Sequence, residues 1–347
     1  MINWGVIGAG GIAYRRTIPE GILNARNSRL TAVQDIDNEL VKKIGSEFNV
    51  KVYNTIQDLL TDKTIDAVYI ATPVYLHYEQ CILAANYKKH IFCEKNLALN
   101  EKQCIEIIDK CKKNNVKLGV GYMMRFNSLH LAIKKAVQEN ILGKIVMGRA
   151  QLSCWYPPIK EAWRQQKKLG AGGSLSDMGS HCIDLLEFIF GSRVSEVTCI
   201  IGNLVHDYEV EDTAVLTCKF NNGSFGIIDN CFNIPDSSSK NFLEIYGSRG
   251  SILCNGTIGQ DSNGYAEVLI EHTQGEYDAA QKRLNKLSSR EFKVKRTNIY
   301  KSEIEYFTDC IEKNIEPEIS GELGLHHVKI IEACYNSAKR DKTVKIH

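Results

Sequence analysis

The first 121 residues alternate between short apolar runs and longer segments with helical periodicity. Apolar runs of roughly four to eight residues bounded by turn residues are typical of buried strands, and apolar positions recurring every three or four residues are typical of amphipathic helices. Strands that alternate with helices predict a parallel sheet covered by helices. The predicted strands are 2–7, 30–34, 51–53, 67–71, 90–93 and 117–121; helices are predicted directly after the first strand and at 38–48, 56–60, 76–86 and 101–114.

After about residue 122 this alternation stops, and short strands separated by turn signals dominate residues 194–272. The pair Asn222-Gly223 lies between two apolar runs and is a hairpin signal. This half is therefore predicted to be an α+β domain with a mostly antiparallel sheet and a few helices. Its other predicted elements are helices 129–139, 301–313 and 321–339, a strand 145–154, and a solvated helix or loop over the basic segment 278–296.

The length of 347 residues suits two domains, which we expect at 1–122 and 123–347. The net charge of +2 offers little to a polyanion, so a nucleic-acid partner is disfavoured. No apolar stretch approaches the roughly 18 residues that span a bilayer. The N-terminus enters a strand without the layout of a signal peptide. We therefore expect a cytoplasmic protein with no membrane partner.

Twelve cysteines are scattered through apolar patterns, and none forms a C-x-x-C pair. In a chain of this length such cysteines are typical of small buried hydrophobic residues in a reducing compartment. The nine histidines and the cysteines lack the spacing of metal ligands, so no metal site is predicted.

A glycine-rich turn, GAGGIA, follows the first predicted strand. It matches the G-x-G-x-x-A fingerprint of dinucleotide-binding folds. In that fingerprint Gly8 permits the tight turn, Gly10 lets the backbone approach a pyrophosphate, and Ala13 lets the helix pack closely on the strand. The free N–H groups at the start of the helix attract the anion. The candidate cofactor residues here are Gly8, Gly10, Gly11 and Ile12, and the alternative is an ordinary loop rich in glycine.

An acidic residue follows the second predicted strand at the position that the fingerprint requires. Asp35 lies 22 residues after Ala13, close to the spacing of about 20 residues expected for the acid that binds the ribose hydroxyls. Its carboxylate would repel a 2′-phosphate, and the next residue, Ile36, offers no positive charge. The sequence therefore favours NAD over NADP as the cofactor, with a surface aspartate as the alternative interpretation.

Polar residues also follow the later strands, and parallel sheets bind ligands at the carboxyl ends of their strands. Trp163 and Arg164 precede the glycine-rich loop 170–173 and are expected to cover the nicotinamide. For Trp163 packing alone is the alternative, and for His77 it is a structural role at the start of a helix. The candidate cofactor residues at or after strand ends are Thr72, Pro73, His77, Glu94, Lys95 and Arg125.

The stretch GGSLSDMGSHCIDLLEF, residues 172–188, places a carboxylate and an imidazole four residues apart at the start of an apolar helix. Residues with this spacing share a helix face, so Asp177 and His181 can reach one substrate. Oxidation of an alcohol needs a base for the hydroxyl proton and a positive group for the developing alkoxide. We predict that His181 is the base, that Lys95 assists, and that Asp177 orients the substrate. Glu94 is expected to orient Lys95.

The alternative to this assignment is a capping acid followed by a structural histidine. It loses ground because a dinucleotide fingerprint and a strand-end lysine stand in the same chain. Aromatic side chains that can line a polyol site occur nearby. The candidate substrate residues are Lys95, Tyr156, Trp163, Asp177 and His181.

Four motifs in order, WGVIGAGGIA, ATPVYLH, CEKNLAL and GGSLSDMGSHCIDLLEF, closely resemble those of the Gfo/Idh/MocA oxidoreductases. The resemblance runs over the whole chain. It implies an N-terminal Rossmann domain, a C-terminal domain on a large open sheet, and a homodimer or homotetramer formed through that sheet. It also implies that Lys95 is the lysine of an E-K-P motif and that Asp177 and His181 are the D-x-x-x-H pair. The chain departs from the E-K-P pattern, because Asn96 replaces the proline.

These features predict an NAD-dependent oxidoreductase that transfers a hydride between nicotinamide and a secondary alcohol of a sugar, polyol or inositol. The first alternative is a glycoside-cleaving enzyme that reduces and regenerates NAD in each turnover. The second is a non-catalytic NAD-sensing regulator, which the intact Lys95 and His181 disfavour.

Overall fold

The structure, a computed structural model, describes residues 1–272, 277, 279–280 and 287–346. The chain forms two compact units, each assembled from three segments. The first, the nucleotide unit, comprises residues 1–123, 159–172 and 298–329. The second, the sheet unit, comprises residues 124–158, 173–297 and 330–347.

The nucleotide unit contains a six-stranded parallel sheet, which confirms the predicted Rossmann architecture. Its strand order, β3-β2-β1-β4-β5-β6, reverses direction between β1 and β4, and ligands of such sheets bind in the crevice at this reversal. The strands are β1 (Ile2–Ile7), β2 (Ser28–Gln34), β3 (Lys51–Tyr53), β4 (Ala67–Ile70), β5 (His90–Glu94) and β6 (Leu118–Gly121).

Four helices of this unit begin at polar capping residues, the last of which is Asn298. The Asp37 carboxylate accepts the backbone N–H groups of Glu39 and Leu40, and the side chains of Thr55 and Asn100 cap the next helices in the same way. The α-helices are Asn38–Phe48, Ile56–Thr61, Val74–Asn86, Glu101–Lys113, the short Lys167–Gly170 and Ile299–Glu312. The unit also contains the π-helical segment Ala13–Ile22 and the 3-10 turn Trp163–Gln165. A further 3-10 turn, Met123–Phe126, begins at the residue where the first segment of the unit ends.

Aromatic packing fills the core of the nucleotide unit. The rings of Trp4 and Phe92 meet edge to face at 6.5 Å, and Phe307 lies 6.0 Å from the first and 5.1 Å from the second. Phe307 belongs to the helix Ile299–Glu312, far along the chain from the sheet that it covers. The approach of this helix to the segment Ala13–Ile22 depends on Gly21, where a Cβ would lie 3.2 Å from the Tyr300 carbonyl oxygen.

The sheet unit contains, among the described residues, nine strands in the order β14-β13-β12-β11-β7-β10-β9-β8-β15. Within this part of the chain the neighbouring strands are antiparallel except for β7 and β10, so the predicted mostly antiparallel sheet is confirmed. The strands are β7 (Ile145–Ser153), β8 (Val194–Gly202), β9 (Thr213–Phe220), β10 (Phe225–Cys231), β11 (Leu243–Gly247), β12 (Gly250–Asn255), β13 (Tyr265–Glu271), β14 (Leu287–Glu291) and β15 (Val344–Lys345).

The predicted hairpin at Asn222-Gly223 is present between β9 and β10, and Gly223 has the positive φ of +85° that such turns require. The prediction of a helix or loop over 278–296 is wrong for Leu287–Glu291, which forms β14. This strand is exposed along its whole length, so it lacks the apolar alternation that identifies strands in a sequence. Residues 278 and 281–286 of the same segment lie outside the described residues.

A buried helix, Ser180–Phe190, packs on one face of this sheet. Glycines in two neighbouring strands make room for it, since a Cβ at Gly148 would lie 2.7 Å from the Phe190 ring and one at Gly226 would lie 3.4 Å from Leu186. The ring of Phe190 also meets Phe220 edge to face at 4.9 Å. The remaining helices are Ser128–Gln138 and Gly321–Arg340, with a π-helical turn Leu175–Gly179 before the buried helix.

The twelve cysteines are thiols, and eleven of them are buried; Cys154 is half-buried. Burial rather than cross-linking is therefore what they contribute to both units. Among the described residues, no helix is long and apolar enough to cross a membrane.

Candidate active site

The glycine turn after β1 lies against the loop that follows β4. Gly8 has a φ of +78°, and a Cβ there would lie 2.7 Å from the Thr72 methyl group and 2.9 Å from its backbone nitrogen. A side chain at this position would push the two loops apart at the reversal of strand order. Gly11 also has a positive φ, +53°, but a Cβ there would meet nothing within 4 Å. The turn is therefore closed on the sheet side and open at Gly11.

Asp35 stands at the end of β2 beside this turn. One carboxylate oxygen accepts the Gly10 N–H at 2.8 Å, and the other accepts the Asp37 N–H at 3.0 Å. The carboxylate is thus fixed beside the glycine turn, and the neighbouring Ile36 is 94% exposed. An anchored acid next to an open glycine turn fits the ribose and pyrophosphate of NAD, and it is unfavourable for the extra phosphate of NADP.

His77 connects the loops after β4 and β5. Its Nε2 lies 2.8 Å from the Thr72 carbonyl oxygen, and its Nδ1 lies 2.8 Å from the Asn96 carbonyl oxygen. Burial lowers the pKa of His77, while its contacts with the Asn96 and Thr72 carbonyls partly offset this effect. Both nitrogens are turned to backbone carbonyls, which supports the structural role for this histidine. Pro73 is the residue that precedes the helix carrying it.

Glu94 is the last residue of β5, and its carboxylate is hydrogen-bonded to the buried hydroxyl of Tyr69. The Tyr69 hydroxyl donates to the Glu94 carboxylate at 2.5 Å and lies 3.0 Å from the Thr17 hydroxyl. Burial raises the pKa of Glu94, while the Tyr69 hydrogen bond and the adjacent Lys95 partly offset this effect. Lys95 follows the last residue of the strand and is half-buried.

Trp163 and Arg164 lie in the 3-10 turn Trp163–Gln165 of the nucleotide unit. The guanidinium carbon of Arg164 lies 4.3 Å from the centre of the Trp163 ring, so the two side chains stack on each other. Gly170 follows closely, and a Cβ there would lie 2.9 Å from the Arg164 carbonyl oxygen. The tight fold of this loop thus explains one glycine of the predicted glycine-rich stretch.

In the sheet unit, Asp177 and His181 lie on one continuous helical segment, in which the turn Leu175–Gly179 runs into the helix Ser180–Phe190. In the fully described stretch 173–190, every residue except Asp177 is buried. His181 is only 8% exposed and follows Asp177 by one turn. The segment therefore has one half-buried carboxylate, and a buried imidazole follows it after one helical turn.

Arg125, a predicted cofactor residue, forms a buried ion pair within the sheet unit. Its Nε lies 2.9 Å from both carboxylate oxygens of Asp184, and its Nη2 lies 2.6 Å from one of them. Its guanidinium also lies 5.1 Å from the centre of the Phe188 ring. Asp184 follows His181 by three residues, so the pair joins the 3-10 turn Met123–Phe126 to the helix that carries His181.

Tyr156, a predicted substrate residue, is half-buried after β7. Its ring lies 5.0 Å from that of Phe232, and its backbone N–H donates to the Phe232 carbonyl at 2.8 Å. The neighbouring Trp155 is 44% exposed and meets the His206 ring at 5.0 Å. The residues that follow β7 in the sheet unit therefore provide aromatic surface that is partly exposed.

Two family profiles match this chain. Residues 2–122 match the profile of the Gfo/Idh/MocA oxidoreductase family, NAD-binding Rossmann fold, and residues 134–346 match the profile of its C-terminal alpha/beta domain. The chain belongs to the Gfo/Idh/MocA oxidoreductase family. Its N-terminal domain is therefore an NAD-binding domain, as predicted.

Relatives of this Gfo/Idh/MocA protein carry out different reactions. It is 27% identical to a myo-inositol 2-dehydrogenase of Thermotoga maritima over 99% of the chain and 98% of that protein. It is 29% identical to a 2,7-anhydro-N-acetylneuraminate hydratase of Escherichia coli K12 over 81% of the chain and 76% of that protein. Its fold resembles an aldose-aldose oxidoreductase of Caulobacter crescentus complexed with glycerol, with a TM-score of 0.87, 23% identity and 99% of each chain covered.

The structure brings the predicted residues of this family member together in two groups. Within the nucleotide unit, the glycine turn lies with Asp35 and Thr72, and His77 lies with the loop that follows Lys95. Within the sheet unit, Asp177 and His181 share a helix with Asp184. Three supporting residues could not be predicted from the sequence, because each contacts a partner remote in sequence and has no local motif: Tyr69, Asp184 and Glu211.

Proposed function

We propose that the protein is an NAD-dependent dehydrogenase that acts on a secondary alcohol of a sugar, polyol or inositol. The observation that carries this proposal is the presentation of Asp177, the one accessible side chain of an otherwise buried segment, one turn before His181. An NAD-binding domain in the same chain supplies a hydride acceptor. Two of its relatives, a 1,5-anhydro-D-fructose reductase and a myo-inositol 2-dehydrogenase, are named for compounds of this class.

The proposed chemistry divides between three side chains. Bound NAD would supply the hydride acceptor for the alcohol carbon or, in its reduced form, the hydride donor for the ketone. The His181 imidazole accepts the hydroxyl proton as the hydride leaves, so the alcohol carbon becomes a carbonyl carbon. The Lys95 ammonium stabilises the negative charge that develops on the oxygen, and the Asp177 carboxylate orients the substrate by accepting hydroxyl protons.

The other predicted residues take supporting roles in this proposal. Tyr156 and Trp163 are proposed to contact the polyol. Glu94 fixes the strand end before Lys95, because its carboxylate accepts a hydrogen bond from Tyr69. The residues proposed to hold the cofactor are Gly8, Gly10, Gly11, Ile12, Asp35, Thr72, Pro73, Glu94, Lys95, Arg125, Trp163 and Arg164. His77 is proposed to act on the cofactor site only through the backbone of Thr72 and Asn96.

We also propose that the protein forms a homodimer or homotetramer through the sheet of its C-terminal domain. Support comes from apolar side chains that are exposed on one face of that sheet. Ile200 and Val215 are cross-strand neighbours with 75% and 44% exposure, and Phe225 on the next strand is 54% exposed. Light scattering on the protein and on Ile200→Asp tests this proposal, with monomers expected only for the variant.

A second candidate function is a redox-neutral reaction in which NAD is reduced and regenerated within each turnover. The similarity to two 2,7-anhydro-N-acetylneuraminate hydratases favours it. The same side chains suit this reaction, because its first step is also oxidation of an alcohol. A glycoside-cleaving enzyme would share that first step.

The test is NADH formation by the purified protein with NAD and a panel of inositols, aldoses, anhydrosugars and amino sugars. Lys95→Ala and His181→Ala are each expected to lower turnover about 10²-fold or more, because each removes a group that acts only in the transition state. NAD affinity should stay within about threefold of that of the wild-type protein.

Unchanged turnover in both variants would contradict the proposed site. Conversion of a substrate without net NADH, by protein carrying NAD that does not exchange, would support the redox-neutral alternative. Binding of NAD without conversion of any compound in the panel would support the regulator.

A further inference from the structure

The helical segment that carries Asp177 and His181 lacks a cap of its own. Ser174 occupies the position before its first residue, Leu175, but makes no capping hydrogen bond. The Ser174 hydroxyl is buried and has no hydrogen-bond partner. Backbone N–H groups at a helix start need acceptors, and a buried helix start without them is unstable. The acceptors here come from elsewhere in the chain.

Glu211, two residues before β9, supplies an acceptor for each of three consecutive N–H groups. One oxygen of its carboxylate, Oε1, accepts the Gly173 N–H at 2.9 Å and the Leu175 N–H at 3.0 Å. Its backbone carbonyl accepts the Ser174 N–H at 3.1 Å. A residue 38 positions away in the chain thus performs the function that a local serine or aspartate usually performs.

The glycine before this start is required by the same contact. A Cβ at Gly173 would lie 2.0 Å from the Glu211 carbonyl oxygen and 3.0 Å from a Val210 methyl group. The preceding Gly172 has a φ of +130°, which side-chain-bearing residues rarely adopt. The glycine pair of the motif therefore lets the helix start dock on Glu211.

A tyrosine fixes the carboxylate itself. The Tyr335 hydroxyl donates to the same Oε1 of Glu211 at 2.9 Å. Burial raises the pKa of Glu211, and its hydrogen bonds from Tyr335, Leu175 and Gly173 partly offset that effect. Burial also raises the pKa of the Tyr335 hydroxyl well above its usual value, so the hydroxyl remains a donor. Glu211 is 6% exposed, and water competes little for these bonds.

The contact reaches the catalytic pair through a single carbonyl. The Asp177 N–H donates to the Gly173 carbonyl at 3.0 Å, and the Gly173 N–H in turn is held by Glu211. His181 follows one turn later on the same continuous segment. We therefore expect a displacement of Gly173 to displace Asp177 and His181 as well.

We infer that Glu211 is a positioning residue for the reaction: by holding the N–H groups of residues 173–175, it sets where Asp177 and His181 point. The inference rests on the proposed function of that pair. Placement errors of about 1 Å cost catalysis much more than they cost stability, because the reacting groups must meet in a narrow geometry.

Four substitutions test the inference in the full-length protein. Glu211→Ala removes the acceptor, Glu211→Asp keeps the charge but shortens the reach by one methylene, Glu211→Gln keeps the accepting oxygen, and Tyr335→Phe removes only the third donor. Glu187→Ala is the matched control. Like Glu211, Glu187 is a buried acid, with 4% exposure, but it lies within the helix Ser180–Phe190. Its carboxylate accepts the Val194 N–H at 2.6 Å, beyond the C-terminal end of that helix.

Two measurements are made on each variant. Hydrogen exchange of peptides covering 173–181 reports the helix start without any substrate, and kcat per folded molecule with its pH profile reports the catalytic pair. We expect exchange at 173–178 to accelerate about tenfold or more in Glu211→Ala, with kcat reduced by a similar factor and NAD affinity unchanged. Glu211→Gln should stay within about threefold of wild type and Glu211→Asp should lie between them.

The control separates positioning from general stability. Glu187→Ala should lower the Tm while leaving exchange at 173–178, kcat per folded molecule and its pH profile unchanged. Wild-type exchange and an unshifted pH profile in Glu211→Ala and Glu211→Asp would overturn the inference, even if His181→Ala is inactive and the proposed function stands. Wild-type turnover in His181→Ala would instead refute the proposed function, and the exchange data would still decide whether Glu211 holds the helix start. If Glu211→Ala does not fold, Glu211→Asp gives the same comparison.

Discussion

The buried pair of Arg125 and Asp184 offers a quantitative test of how this fold holds the buried helix Ser180–Phe190. The Asp184 side chain is 1% exposed and the Arg125 side chain 9%, and their closest nitrogen and oxygen atoms are 2.6 Å apart. Asp184→Ala leaves the guanidinium charge in the interior without this carboxylate. Arg125→Met leaves the carboxylate without the guanidinium.

Breaking a buried pair by removing one partner costs about 3–5 kcal/mol of unfolding free energy, because the remaining charge has lost its water and its counter-ion. For a unit of this size each kcal/mol shifts Tm by roughly 2–4 °C, so each single variant is expected to lose roughly 6–20 °C. Replacing both partners with apolar side chains of similar volume is often neutral. The double variant Arg125→Met/Asp184→Leu should therefore recover most of the loss.

The assay is denaturant and thermal unfolding of the wild type, both single variants and the double variant. The exposed pair Lys112 and Glu322 is the matched control, because its contact distance is 2.7 Å but its side chains are 67% and 53% exposed. Glu322→Gln should cost less than about 1 kcal/mol, since water already screens that pair.

Additive losses in the double variant would refute this reasoning, as would single variants that lose no more than Glu322→Gln. The same double variant also tests the predicted cofactor role of Arg125. If its fold recovers while NAD affinity falls tenfold, the guanidinium contacts the cofactor in addition to Asp184. If the affinity is retained, Arg125 acts only through the ion pair.

Three further predictions concern the nucleotide unit and pH. Gly8→Ala should weaken NAD binding about tenfold or more in a titration, because its Cβ would lie 2.7 Å from Thr72 at a φ of +78°; wild-type affinity would contradict the close approach. Asp35→Ala should weaken NAD binding and should favour NADP relative to NAD, because the carboxylate that repels the 2′-phosphate is gone and the Gly10 N–H loses its acceptor; an unaltered preference would argue against the ribose role. Burial lowers the pKa of His130 from 6.5 to about 4. Between these two pH values the imidazole binds a proton in the unfolded chain but not in the folded chain. His130 does not reduce the unfolding free energy above about pH 6.5. As the pH is lowered from there toward pH 4, the unfolding free energy falls by up to about 1.4 kcal/mol per pH unit. His130→Gln should flatten that slope in denaturant melts, and an identical slope in both proteins would exclude His130 as its source.

The glycine turn and the acid after β2 show what local sequence information can predict. The spacing from Gly8 to Asp35 is set within one βαβ unit, so the fingerprint predicted the Rossmann fold and the cofactor together. The pair Asn222-Gly223 predicted a hairpin for the same reason, because turn chemistry is local. Asp177 and His181 were recognisable because their spacing places them on one helix face whatever surrounds the helix.

The supporting contacts could not be predicted in this way. Glu211 lies 38 residues from Gly173, and Arg125 lies 59 residues from Asp184. Neither carboxylate stands in a motif that names its partner. Which acid meets which donor depends on how the strands of the sheet unit are ordered, and that order follows from packing summed over the whole unit rather than from local propensity.

Local sequence patterns were sufficient to predict most of the strands and helices, the dinucleotide turn, the family and the candidate catalytic pair, because each depends on periodicity or spacing within a few turns of chain. Only the tertiary structure placed β7 between β10 and β11, formed the exposed strand β14, and joined segments remote in sequence into each compact unit. It also showed that a distant glutamate caps the helix of Asp177 and His181. Buried polar groups must find partners somewhere in the fold, and the chain can supply those partners from any distance once packing has brought the segments together.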